Sequence, residues 1–144
     1  MSARIAIEQP SESDIDVIHA VLRETYWSPG IPRDVVSRAA ANSLCAIARD
    51  DASKLIGYAR LVTDKTTFAW LCDVIVLPGR QGRGVGRALV RCFLDHPELK
   101  GMRRWLLGTK DAHGVYAALG FKPLDRPERF MIIRNPAPYG APTS

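Results

Sequence analysis

Gln81-Gly82-Arg83-Gly84-Val85-Gly86, followed by Arg87, is the stretch on which the reading of this chain turns. An apolar, strand-like run ends just before it at Pro78. Just after it, Val85, Ala88, Leu89, Cys92 and Phe93 recur at i, i+3, i+4, i+7 and i+8, the spacing of an amphipathic helix, which should stop near His96-Pro97. Glycines at such a junction let the backbone come close to a ligand, and a helix start offers N–H groups without intrahelical acceptors at a positive dipole end. A phosphate suits that place, and Arg80, Arg83 and Arg87 add fixed charge. The plainer alternative is a flexible turn carrying solvated arginines. Two dinucleotide loops are excluded at once, because the spacing is not G-x-G-x-x-G and no Gly-Lys-Ser/Thr closes the run.

Upstream, residues 5–9 read as a short strand and Ser11-Glu12-Ser13-Asp14 as a capping box opening a helix with Ile15, Ile18 and Leu22 on one face. A second helix is expected over residues 32–41. Strand runs at 44–49, 55–62 and 67–77, separated by short polar turns, form an antiparallel meander. Downstream, residues 105–109 read as a strand. Asp111 is expected to cap a helix with Ala112, Val115, Tyr116 and Leu119 on one face, ended by Gly120. Residues 121–124 and 130–134 are expected to finish the sheet. The order β-α-α-β-β-β-α-β-α-β-β is an α+β pattern with a mixed sheet.

The chain has 144 residues, 47% apolar and 24% charged, which bounds it to one ordinary globular domain. That domain is expected over residues 1–135, with a Pro-rich, flexible tail at 136–144. Cys45, Cys72 and Cys92 are odd in number, lie in apolar runs and lack metal spacing, as do the three histidines, so no metal site is indicated. The first residues turn acidic before any apolar stretch reaches signal or spanning length, so a cytoplasmic, non-membrane protein is expected. Within the net charge of +5, residues 80–110 hold eight Lys/Arg against Asp95 and Glu98, a local +6. Such concentration fits one anion site better than a stripe for nucleic acid, and no nucleic-acid partner is expected.

Residues 74–89, Val-Ile-Val-Leu-Pro-Gly-Arg-Gln-Gly-Arg-Gly-Val-Gly-Arg-Ala-Leu, resemble the Q/R-x-x-G-x-G/A signature of the GNAT (general N-acetyltransferase) superfamily, with Gln81, Gly84 and Gly86 at its defined positions. Tyr116-Ala-Ala-Leu-Gly-Phe121 resembles the family's Y-x-x-x-G-F, in family order and at family separation, as in small bacterial single-domain members. The resemblance implies a mixed, mostly antiparallel central sheet with helices on both faces and a splayed strand pair at the coenzyme A site. It further implies that the amides of Val74 and Val76 hold the thioester carbonyl and pantetheine arm of acetyl-CoA. Those of Gly82, Arg83, Gly84, Val85, Gly86 and Arg87 would hold the pyrophosphate. Tyr26 and Trp27 would line the acceptor slot. Thr109 stands where many relatives carry Asn, a departure that removes an asparagine contact to the cofactor.

The implied reaction is acetyl transfer to the amine of a small molecule or protein, in a ternary complex without a covalent enzyme intermediate. An amine attacking a thioester creates an oxyanion, which fixed N–H groups stabilise, and expels a thiolate that benefits from a proton. Tyr116 can supply it; otherwise its ring is simply packed. An alkylammonium with a pKa of about 10.4 must first lose a proton. Asp73, alone in the apolar run Trp-Leu-Cys-Asp-Val-Ile-Val, is the candidate base; it could equally pair with Arg60 or orient a cationic substrate. The rivals are a non-catalytic acyl-CoA-binding module and, further off, a nucleic-acid-binding domain. A homodimer is compatible with all of these.

Overall fold

The computed structural model describes residues 3–140. The chain divides into two compact units, Met1–Gly108 and Thr109–Ser144. The first holds β1 (Arg4–Ile7), α1 (Glu12–Leu22), α2 (Arg33–Ala41), β2 (Leu44–Arg49), β3 (Leu55–Thr63), β4 (Phe68–Val76), α3 (Val85–Leu94) and β5 (Arg104–Leu107). The second holds α4 (His113–Ala118) and a 3-10 turn at Pro127–Arg129. Among the described residues no helix is long and apolar enough to cross a membrane.

The capping box forms as the sequence predicts. Asp14 N–H donates to Ser11 Oγ at 3.1 Å and Ser11 N–H donates to Asp14 Oδ2 at 2.9 Å, satisfying two donors at the start of α1. The same carboxylate accepts from Arg49 Nη2 at 2.7 Å, tying α1 to the end of β2. The β2–β3 turn is held by Asp50, which accepts from the amides of Ala52 and Lys54. The β3–β4 turn is held by Asp64, which accepts from the amides of Thr66, Thr67 and Phe68. Short acidic side chains bonding their own turns explain why these polar tetrads reverse the chain.

The sheet has the order β1-β2-β3-β4-β5, antiparallel as far as β4. β5 returns through α3 and so lies parallel to β4, over the pairs from Phe68↔Arg104 to Leu71↔Leu107. Beyond Leu71, β4 continues to Val76 without a partner on that side among the described residues. β5 is paired over its whole length and ends at Leu107, so this side of β4 lies past the end of their shared ladder.

Strand alternation sorts the two faces. Gly57 faces α3, where a Cβ would lie 3.0 Å from Leu89 Cδ1 and 3.0 Å from Val85 Cγ1. Its register neighbours on that face are Ala48, Ala46, Ala59, Val74 and Val76, small residues that let α3 settle close. Tyr58, next along β3, faces the other way, and there Cys45 Sγ donates to Ala40 O of α2 at 3.5 Å. Helices therefore cover both faces. Val85, Leu89, Val90 and Phe93 of α3 are buried, as are Ile15, Ile18 and Leu22 of α1.

The strands expected at 121–124 and 130–134 are absent. Pro123 lacks a donor and Arg126 takes a positive φ of 55°. A run with strand composition is not a strand until another backbone pairs with it. Asp111 does not cap α4. The capping position is Ala112, whose N–H donates to Thr109 Oγ1 at 3.1 Å, because the hydroxyl of Thr109 reaches the third residue on. Of the tail at 136–144, residues 141–144 lie outside the described ones; Gly140 N–H donates to Ala137 O in a turn.

Candidate active site

The glycine loop is built as its composition requires. Gly82 and Gly84 take φ of 80° and 79°, which a side chain would oppose, and no atom lies within 4 Å of where a Cβ would sit on either. Gly84 is the N-cap of α3 and supplies no side chain. The first helical bond runs from Ala88 N–H to Gly84 O at 3.0 Å. The amides of Val85, Gly86 and Arg87 thus precede the helical ladder, with no acidic residue in that turn. Gln81 Nε2 donates to Val76 O at 3.2 Å, fastening the loop to the end of β4. Gln81, Arg83 and Arg87 are exposed. Arg80 is not a spare cation: its Nη2 donates to Asp50 Oδ2 at 2.8 Å, anchoring the loop entrance to the β2–β3 turn.

β4 ends beside this turn, since a Cβ on Gly86 would meet Val76 Cγ2 at 3.7 Å and Val74 Cγ1 at 3.9 Å. Leu77 N–H donates to Ile56 O at 2.9 Å, so that side of the strand faces β3. Backbone groups alternate sides along a strand. Val76 and Val74 therefore aim their N–H groups away from β3, on the side where β4 runs past the end of β5. Two strand amides and a helix start thus lie near one another in the first unit, the side chains of Val74 and Val76 flanking Gly86.

Asp73 lies on the opposite face, 5% exposed, and the pairing with Arg60 is formed. Its Oδ2 accepts from Arg60 Nε at 2.8 Å and its Oδ1 from Trp27 Nε1 at 2.9 Å. Arg60 Nη1 also donates to Ser43 Oγ at 3.2 Å. Burial works against the Arg60 charge, but Asp73 more than offsets it and holds the guanidinium above its ordinary value. Trp27, in the α1–α2 connection, is 41% exposed and meets Tyr26, 50% exposed, edge to face at 5.0 Å. Burial pushes the thiols of Cys45, Cys72 and Cys92 up, which keeps them from being thiolates at neutral pH. Among the described residues no group of three or more His, Cys, Asp or Glu could hold a metal ion.

In the second unit, the Tyr116-to-Phe121 motif has a structural reason. Gly120, at φ 104°, donates to Ala117 O at 3.0 Å, and Phe121 N–H donates to Tyr116 O at 3.1 Å. These are the two bonds of a Schellman stop, and the rings of Tyr116 and Phe121 meet edge to face at 5.9 Å, as its usual apolar contact requires. The motif fixes the ring of Tyr116 at the end of α4.

Sequence reasoning missed the Asp50–Arg80 tie and the Ser43 contact to Arg60. Their only signals are single polar residues at strand ends.

Residues 10–121 match the model of the acetyltransferase (GNAT) family. The match covers most of the chain, which therefore belongs to the GNAT acetyltransferases. It is similar to a GNAT-family protein of Xanthomonas campestris pv. campestris, with 38% identity, a TM-score of 0.89 and coverage of 98% of this chain and 99% of the other. A Gibberella zeae protein named provisionally as an acetyltransferase is 29% identical, covering 78% of this chain and 76% of its own. An aminoglycoside N-acetyltransferase solved with CoA shares the fold, with 20% identity, a TM-score of 0.67 and coverage of 94% of this chain and 97% of the other.

Proposed function

We propose that this protein transfers the acetyl group of acetyl-CoA to a primary amine of a small molecule or protein, by direct attack in a ternary complex. The observation that carries the reading is the row of outward amides from Val74 and Val76 to Val85, Gly86 and Arg87, fastened by the Gln81 bond to Val76 O. Such a row suits an extended ligand with a polar arm at one end and phosphates at the other. The strand amides receive the thioester carbonyl, whose oxygen gains charge as the amine adds, and the helix start receives the pyrophosphate. Gly82, Arg83 and Gly84 shape the loop around it. The raised thiols favour direct attack over an acyl-cysteine.

In this reading Tyr116 gives its phenolic proton to the departing thiolate, the ring being set by Phe121. Asp73 holds Trp27 and Arg60 in place rather than acting as the base, because both its oxygens already accept hydrogen bonds. The ammonium then sheds its proton to water, and Tyr26 and Trp27 line the acceptor side.

The test combines binding with turnover. Acetyl-CoA at 100 times its Kd should stabilise the protein by about 2.7 kcal/mol, and an amine screen should release free CoA thiol. Tyr116→Phe should lower turnover by about 10²–10⁴ with little change in acetyl-CoA affinity. Binding without turnover against any amine would indicate a silent acyl-CoA module. A fully active, destabilised Tyr116→Phe would return the tyrosine to a packing role.

A further inference from the structure

The sheet face turned away from α3 changes character along β3 and β4. Its register pairs run Tyr58↔Ile75, Arg60↔Asp73 and Val62↔Trp70, with Cys72 left unpaired at a register shift that keeps Trp70 in step with Val62. Register partners share a face, and alternate residues of β3 do too, so all six side chains lie together. Tyr58, Ile75 and Asp73 are buried, whereas Val62 is 42% and Trp70 41% exposed. Cover on this face therefore stops at the Arg60–Asp73 pair, and an indole and a valine are left open to solvent beyond it.

Trp27 stands at that boundary. Its Nε1 donates to Asp73 Oδ1 at 2.9 Å, and an indole has no other polar group, so its half-exposed ring offers only apolar surface. The connection that carries it is pre-formed: Gly30 N–H donates to Arg23 O at 2.9 Å and Ile31 N–H to Ser28 O at 3.1 Å, closing residues 23–30 on themselves. Trp27 is thus anchored one register step from Trp70, on the residue next to Val74.

Charge decides what kind of molecule such a surface suits. Asp73 is the only acid among these register positions, and its oxygens already accept from Trp27 and Arg60. A second ammonium group finds no unpaired carboxylate there, and a substrate carboxylate finds Arg60 engaged. A flat apolar body can instead pack on two indoles, and a single ammonium gains from their ring faces.

We infer that the acceptor is a monoamine with an aromatic or flat apolar body, selected by Trp27, Val62 and Trp70. This rests on the acetyl-transfer reading and narrows its acceptor from any primary amine to one class. In that reading the Val74 amide serves the thioester. A strand rises about 3.3 Å per residue, and Trp70 is four positions from Val74, so a body lying between Trp27 and Trp70 needs only a short arm to bring its amine to the acetyl group.

The full chain is assayed for CoA thiol release with 2-phenylethylamine, propylamine and spermidine. 2-Phenylethylamine should have the highest kcat/KM, by about 10-fold or more. Trp70→Ala, a change at an exposed position, should raise its KM about 10-fold with a far smaller change in kcat and none in the acetyl-CoA Kd, the pattern of lost uniform binding. Should that variant lose its far-UV spectrum, Val62→Lys reads the same rise in KM. A preference for propylamine or spermidine, or a KM that neither variant moves, overturns the inference and leaves acetyl transfer standing. Release with no amine at all overturns the acetyl-transfer reading instead. The surface is then judged by binding alone, from quenching of tryptophan emission by 2-phenylethylamine in the presence of CoA. A Kd weakened about 10-fold by Trp70→Ala upholds it as a site for aromatic amines, and no binding overturns it.

Discussion

Gly57→Ala tests whether the seating of α3, more than the loop itself, maintains the donor row. The added methyl would meet Leu89 Cδ1 at 3.0 Å, Val85 Cγ1 at 3.0 Å and Ile75 O at 3.3 Å together. Leu89 is fully buried, Val85 is β-branched and 7% exposed, and the third neighbour is backbone, so none can turn aside freely. Overpacking of this kind costs about 1–3 kcal/mol, offset by the ~0.5–1 kcal/mol that glycine loses in a strand. A net loss of about 1–2 kcal/mol is expected, which for a chain of this size lowers the melting temperature by about 2–8 °C. Because Val85 opens α3, the strain should lift its first turn from Val74 and Val76 and weaken acetyl-CoA binding about three- to tenfold, or ~0.7–1.4 kcal/mol. Thermal denaturation and isothermal titration with acetyl-CoA measure the two effects on one preparation. An equally stable variant with unchanged affinity would refute the claim that the small sheet face sets the position of the donor row.

Asp14→Asn should destabilise by about 1.5–3 kcal/mol at neutral pH, because the charge facing Arg49 goes while a cap acceptor remains; urea midpoints report it. The bond from Arg49 holds the Asp14 carboxyl below its ordinary value, against the opposing effect of burial and with help from the Ser11 bonds. A depressed carboxyl stabilises above its unfolded value, about 3.9, and that gain is lost as pH falls through the folded value, so the gap between wild type and variant should close below about pH 4. Asp73→Asn should raise the KM for the amine while the acidic limb of the kcat profile stays put, since the residue positions Trp27 and Arg60. A fall of about 10²–10⁴ in kcat with loss of that limb would instead make Asp73 the base.

The parts of the fold legible in the sequence are those with local causes. Ser11 and Asp14 announce α1 because both halves of the capping box lie within four residues. Gly120 announces the end of α4 because only a residue comfortable at φ 104° can bring Phe121 N–H back to Tyr116 O. The glycine loop is local in the same sense. Residues 130–134 mislead for the converse reason: their composition is that of a strand, but pairing is a property of a second backbone, which composition does not supply. Asp73 lies between the two cases. The sequence could say that a lone acid in an apolar strand requires partners and could offer Arg60. It could not reach Trp27, 46 residues away, because that contact exists only once the fold brings the α1–α2 connection against β4.

The site itself combines both kinds of information. Loop glycines permit the backbone to approach a phosphate, yet a loop with the same glycines on a helix set farther from the sheet would leave Val74 and Val76 out of line with Val85 and Gly86. The alignment comes from Gly57, Ala48, Ala46 and Ala59, small residues on two strands that the loop does not touch in sequence. Arg80 and Gln81 then fix the entrance, one to Asp50 and the other to Val76 O. In the proposed reading a signature confined to residues 81–86 marks the ligand's place, while the precision of the cradle depends on strand residues about 20 to 35 positions earlier, where no motif reading would look for it.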